Sequence, residues 1–316
     1  MDITVVIQQM IIIFILIGIG VLLYKKEMLS ETTSGQISGL IVNLTNPALL
    51  ISSALQEGPK ASMQELGTAL CVDLAIYGIL IAAGLLIPRI LRVPDGYHYS
   101  YQMLTVFGNV GFIGIPLATA VLGAECLIFV SIYNLLYNVF IYTFGISLLH
   151  RAAARQASAR QEQSISAKNR WKKLVNIGTI SAVATIVIYL GDFRAPAVLS
   201  STLTYIGQST TLLSMLVLGV SVAQMTIKDI FAHPKLYGFV LLRQILLPVG
   251  CIMLLRLFLD NRMLLHTTVL MLAVPAGNMP LMLSKQLQID TDTISQGIIL
   301  TTILGLVTIP VVSLFL

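Results

Sequence analysis

Two Gly-Asn pairs stand in the middle of apolar stretches. One lies in Gly108-Asn109-Val110-Gly111-Phe112-Ile113-Gly114-Ile115-Pro116, the other in Pro275-Ala276-Gly277-Asn278-Met279-Pro280. Glycine and proline are poor material for a continuous helix. At bilayer depth, irregular backbone survives only where it is buried in protein or lines a cavity. An asparagine beside such a break offers donors and an acceptor, either to the freed backbone groups or to a bound molecule. The half-helix ends left by the break carry exposed N–H groups and partial positive charge, which suit a carboxylate. Gly108, Gly111 and Gly277 make the break possible, and Pro116, Pro275 and Pro280 interrupt the ladder. The chemistry indicated is recognition of a small anion. An ordinary proline kink or a purely structural asparagine is the plainer alternative.

Asp73 and Arg243 are the two charges placed deep inside apolar segments. Such groups are expensive in a bilayer and face a cavity or each other. Asp73 is a candidate to carry a proton or steady a coupling cation, and Arg243 to attract an anion; mutual neutralisation is the alternative. Asn43, Asn46 and Pro47 form a third polar interruption, a candidate lining for the pathway. Asn134 and Asn138 share one helical face four residues apart, a spacing suited to hydrogen bonds between helices. Lys285 is placed to snorkel from a span end. Bond-making chemistry finds little material. His98, His150, His233 and His266 fall near predicted span ends, with no HExxH, GxSxG or phosphate-loop pattern. Cys71, Cys126 and Cys251 are scattered, without metal or redox spacing. No metal or organic cofactor is expected.

The elements that must position these residues are membrane helices. The chain has 316 residues, 56% hydrophobic and 10% charged, with a mean hydropathy of +0.89. Soluble domains carry about 25% charged residues, and the period-two alternation of a membrane barrel is absent. Runs such as 3–23 read as spanning helices; the first has no basic region before it and is long enough to span, so it is not expected to be a cleaved signal. Ten spans are predicted, at 3–23, 35–55, 67–87, 99–122, 126–149, 174–190, 202–225, 235–256, 264–286 and 293–315, the sixth being short. Of the 19 Lys and Arg residues, fourteen fall in loops after odd-numbered spans, four after even-numbered ones, and Arg243 inside a span. The positive-inside rule then puts both termini outside and the loop 150–173 in the cytoplasm. That loop, rich in Ala, Arg, Gln and Ser, reads as a solvated connector rather than a nucleic-acid contact. It divides the chain into 1–149 and 174–316, five spans each. Since five is odd, the halves have opposite topology; shifting by 169 carries Gly108 to Gly277 and Asp73 to Leu242, beside Arg243. Paired interruptions in inverted halves point to a transporter's binding site.

Asn46-Pro47, the Gly108–Pro116 stretch and the Pro275–Pro280 stretch together resemble the auxin efflux carrier family, which includes plant auxin exporters and bacterial malate or malonate permeases. The resemblance implies a fold like that of sodium/proton antiporters and bile-acid symporters, with spans four and nine unwound and crossing at mid-membrane. It implies a scaffold and homodimer contact from spans 1, 2, 6 and 7, and a moving domain from spans 3–5 and 8–10. It makes Asn109 and Asn278 crossover residues and gives Asp73 a place near the substrate. The short central loop departs from the plant exporters and lacks their long regulatory region. The expectation is an all-α multi-pass protein of the plasma, or bacterial inner, membrane. It would be a secondary transporter of a mono- or dicarboxylate, auxin-like acids included, working by alternating access. Proton coupling or none is preferred over sodium, which stays open. A ligand-gated channel or sensor using the same cavity is the alternative.

Overall fold

The computed structural model describes residues 3–55, 61–157, 177–191, 193–224, 233–287, 289 and 292–316. All regular structure among them is helical, and one isolated antiparallel bridge pairs Gly108 with Ala276. In chain order the helices are α1 (Ile3–Lys25), α2 (Glu31–Ala54), α3 (Met63–Ile90), α4 (His98–Val106), α5 (Val110–Leu122), α6 (Ala124–Ala153), α7 (Ile177–Leu190), α8 (Ala197–Ala223), α9 (Pro234–Leu255), α10 (Arg262–Ala273), α11 (Met279–Gln286) and α12 (Asp292–Ser313). Seven of these are long and apolar enough to cross a bilayer: α1, α2, α3, α6, α8, α9 and α12. Val110–Leu122, Ile180–Leu190 and Arg262–Ala273 are shorter apolar helices. The fourth and ninth expected spans are each two short helices, α4 with α5 and α10 with α11, separated at the Gly-Asn positions.

Local sequence explains where helices begin. Ser62 caps α3 and accepts from the Glu65 N–H at 3.2 Å, while Glu65 accepts from the Ser62 N–H at 2.7 Å; this is a reciprocal capping box. Asn261 caps α10 by accepting from the Leu264 N–H at 3.0 Å, and its amide donates to Glu65 at 2.6 Å, tying the starts of α3 and α10 together. Inside the helices, hydroxyls return to their own backbone: Thr105 donates to the Tyr101 carbonyl and Ser131 to that of Leu127.

Three prolines sit inside helices for a shared reason. Pro47, Pro116 and Pro248 each follow a widened, π-type turn, at Ile41–Thr45, Val110–Gly114 and Leu241–Leu246. The wider turn takes up the missing N–H and the clash of the proline ring with the preceding carbonyl. Asn46-Pro47 is thus an accommodated interruption within α2, and Asn43 on its wide turn is exposed. Asn138 donates to the Asn134 carbonyl of its own helix at 2.8 Å, which replaces the expected bond between helices.

Packing is tightest between α1 and α8. A Cβ on Gly219 would run into the Ile17 carbonyl, and one on Gly20 into that of Leu216, so the two backbones touch where only glycine fits. The helix α2 packs on both α7 and α8, α7 also packs on α6, and α3 packs on α4 and α6. An aromatic group links α3 to α6: Tyr77 stacks on Phe140 with centroids 4.7 Å apart and meets Tyr133 at 5.3 Å. Arg89, Arg92, Arg151 and Lys235 gather at one end of the bundle, where Lys235 donates to the Arg92 carbonyl. Lys60, Arg160, Lys168, Arg170, Lys172, Lys173 and Lys228, with most of the loop 150–173, lie outside the described residues, as do the side chains of Arg155 and Lys285.

Candidate functional site

The two broken segments meet at residues 107–109 and 275–277. The Asn109 N–H donates to the Pro275 carbonyl at 2.7 Å, and the Gly277 N–H donates to the Phe107 carbonyl at 2.9 Å. These two bonds make the bridge between Gly108 and Ala276. A Cβ on Gly277 would sit 2.7 Å from the Gly108 oxygen, so this crossing needs glycine there for close approach. The breaks lie at the Gly-Asn pairs themselves. Pro275 is in the second break, whereas Pro116 lies beyond the first, in the opening turn after the wide segment of α5, and Pro280 is in the first turn of α11.

Breaking a helix frees carbonyls and N–H groups, and their accounts close here with few side chains. Thr105 and Leu272 occupy the last turns of α4 and α10. In unbroken helices their carbonyls would accept from the N–H groups of residues 109 and 276. Asn109 N–H instead goes to Pro275, and Ala276 N–H to the Thr301 hydroxyl at 3.1 Å. Arg243 fills both vacancies: its Nε donates to the Thr105 carbonyl at 3.2 Å and its Nη1 to that of Leu272. The side chain is 1% exposed and lies on the wide turn of α9. Its neighbour Gln244 donates to the Thr301 carbonyl at 3.0 Å, bracing the residue that holds Ala276. One turn of α9, together with Thr301 of α12, therefore supports the crossing.

Asp73 is equally buried, and accepts from the Thr268 hydroxyl of α10 at 3.1 Å. No ion pair joins it to Arg243, whose bonds go to backbone; mutual neutralisation by contact is not the arrangement found. Tyr133 lies within electrostatic reach of both charges.

The first break opens onto α2 and α8. Asn109 caps α5, its Oδ1 accepting from the Phe112 N–H at 3.2 Å, while its buried Nδ2 has no partner. Asn46 reaches across from α2, its Nδ2 at 3.5 Å from the Gly111 carbonyl and its buried Oδ1 also unpartnered. The hydroxyls of Thr45, Thr210 and Ser214 are buried without partners too, and α8 packs against the wide turns of both α2 and α5. Asn278 stands just before α11, half-buried. The structure thus gathers Gly108, Asn109, Gly111, Gly277, Asn278 and Arg243 at one crossing, with Asn46 touching its rim.

Thr301, Gln244 and Thr268 carry part of this site and were not expected from sequence. Gln244, an amide inside an apolar run beside Arg243, was the available signal. A threonine in a membrane helix gives none, because it ordinarily bonds its own preceding turn, as Thr301 also does to Gly297 at 2.7 Å.

Two cavities open away from the crossing, at the basic end. One of about 680 Å³ is lined by Arg89, Asp95, Tyr97, His98, Gln102 and Arg151, and one of about 400 Å³ by Tyr101, His233, Lys235, Asp292 and Gln296 among others.

Comparison with known proteins points to membrane transport. An uncharacterized transporter of Methanothermobacter thermautotrophicus is 23% identical over 311 residues, covering 96% of each chain. The family described as "Membrane transport protein" matches residues 5–313. With that match over nearly its whole length, the chain is a membrane protein of this transport family, the auxin efflux carriers.

Proposed function

We propose that this protein is a secondary carrier that moves a small organic anion, a mono- or dicarboxylate, through the crossing of its two broken segments. The observation carrying this is the set of unpartnered buried polar atoms at the first break: Asn109 Nδ2, Asn46 Oδ1 and the hydroxyls of Thr45, Thr210 and Ser214. An unmade hydrogen bond in a buried place costs about 1–3 kcal/mol; a carboxylate can accept from Asn109 Nδ2 and the three hydroxyls, while Asn46 Oδ1 calls for a donor such as a hydroxyl on the same ligand. The start of α5 adds N–H groups and partial positive charge, which favour a carboxylate over a neutral molecule. Asn278, before α11, is the equivalent group from the second half.

In this proposal the chain has ten spans in two inverted halves, with both termini outside and the basic end facing the cytoplasm. The two cavities at that end are inner vestibules, and Asn109, 3% exposed, is sealed from them in this state. The helices packed around α1, α2, α7 and α8 form the scaffold and homodimer contact. The broken segments travel with α3, α6, α9 and α12, exposing the crossing to each side in turn. Asp73, held by Thr268 on the moving side, is the group that titrates during the cycle.

The test is a thermal-stability screen of purified protein with small carboxylates, alongside Asn109→Ala and Asn278→Ala. A ligand that binds the folded state raises its melting temperature by mass action. One carboxylate should stabilise the parent and neither variant, and should then show counterflow in liposomes, which a pore does not. Equal stabilisation of parent and variants would place binding elsewhere and sink the proposal.

A further inference from the structure

We infer that Arg243 is a built-in cation: it occupies the place at the crossing where a transporter of this architecture would otherwise hold a soluble monovalent cation. Half-helix C-termini and unwound carbonyls are the groups that coordinate sodium in broken-helix transporters. The first kind is present here: the carbonyls of Thr105 and Leu272 lie in the last turns of two half-helices and converge on Arg243. Each carbonyl has lost its normal helical partner to the crossing, Asn109 N–H to Pro275 and Ala276 N–H to Thr301. The ends of α4 and α10 also each concentrate about half an elementary negative charge by their dipoles. Two orphaned acceptors and two negative dipole ends, all buried, define a cation site.

The guanidinium fills it. Its Nε and Nη1 donate to the two carbonyls, and Nη2 lies 3.3 Å from where a Cβ on Gly108 would be. Among the described residues no carboxylate pairs with Arg243, and Asp73 accepts from Thr268. The backbone ends are therefore its counter-charge. A tethered cation is never diluted and never leaves, so the crossing needs no sodium or potassium to stay assembled. Arg243 is a positioning residue here, not a group that meets the substrate. The corollary, that transport is independent of sodium, rests on the carrier reading; the cation site itself does not.

The experiment uses melting temperatures of the purified full-length protein and so requires no substrate. Parent protein, Arg243→Ala and Arg243→Lys are compared in sodium, potassium, methylguanidinium and choline chlorides at equal ionic strength. The parent should melt at one temperature in sodium, potassium and choline. Arg243→Ala should melt several degrees lower in choline and recover saturably in methylguanidinium or sodium. Arg243→Lys, still carrying a cation, should lose some stability and stay indifferent to sodium. Should Arg243→Ala be too fragile to melt, the same salts are compared by yield of monodisperse protein from solubilised membranes. A parent stabilised saturably by sodium over choline overturns the inference. So does an Arg243→Ala protein, or yield, that responds to none of the added cations.

Discussion

Asp73 shows how a single residue can be placed by chemistry while its partner is placed by the fold. A carboxyl in an apolar helix announces itself in the sequence; the Thr268 hydroxyl that holds it does not. Asp73→Asn keeps the shape and fixes the neutral form. If Asp73 is the titrating group of the cycle, counterflow by this variant should be flat across the pH range in which the parent's rate changes. Unchanged pH dependence would remove Asp73 from that role. The other buried charge was legible only as a charge. Attraction of an anion was the natural expectation for Arg243; two of its five N–H donors go instead to the Thr105 and Leu272 carbonyls. Backbone acceptors freed by a distant break leave no mark on the sequence around the side chain that finds them.

At the scale of elements, the breaks were visible because glycine, asparagine and proline are conspicuous in apolar surroundings. Their position was also visible, at the Gly-Asn pairs, although proline was a poor guide. Pro47, Pro116 and Pro248 each mark a widened turn inside a helix that continues. Proline removes one hydrogen bond and crowds one carbonyl, which a wide turn absorbs, whereas a full break here takes the glycine that lets two backbones touch. The α1–α8 contact was not legible at all, since Gly20 and Gly219 resemble any other glycine in a helix. It has a direct check. Gly219→Ala puts a methyl into the Ile17 carbonyl and should cost about 1–3 kcal/mol, whereas Gly18→Ala meets nothing within 4 Å and should be neutral or slightly stabilising. Equal melting temperatures for the two variants would show that the helices separate easily.

For the whole molecule, α3 supplies the axis, 28 residues from the capping box at Ser62 to Ile90, or about 42 Å at 1.5 Å per residue. Basic residues collect at its far end, which fixes which end faces the cytoplasm if the positive-inside rule holds. With native Cys71 replaced by serine, a membrane-impermeant thiol reagent added outside intact cells should label Gln64→Cys and spare Gly96→Cys until the membrane is opened. Reversed labelling would invert the orientation, and labelling of both from outside would deny that α3 spans. The class of molecule could be read from composition alone; ten spans were expected, and seven helices among the described residues are long and apolar enough to cross a bilayer. What composition could not supply was the order of support, in which α9 and α12 hold together a crossing made by four other helices.

The two bonds at that crossing also set a timetable. Gly108 and Ala276 are 168 positions apart, so the partners of Asn109 N–H and Phe107 O are among the later parts of the protein to be made. Until then the nascent first half has these groups in a membrane with no water to receive them. A local substitute exists for one of them: with residues 98–122 wound as one helix, Asn109 N–H would fall on the Thr105 carbonyl. Forming the crossing would then be an exchange, in which each half gives up bonds it could make by itself.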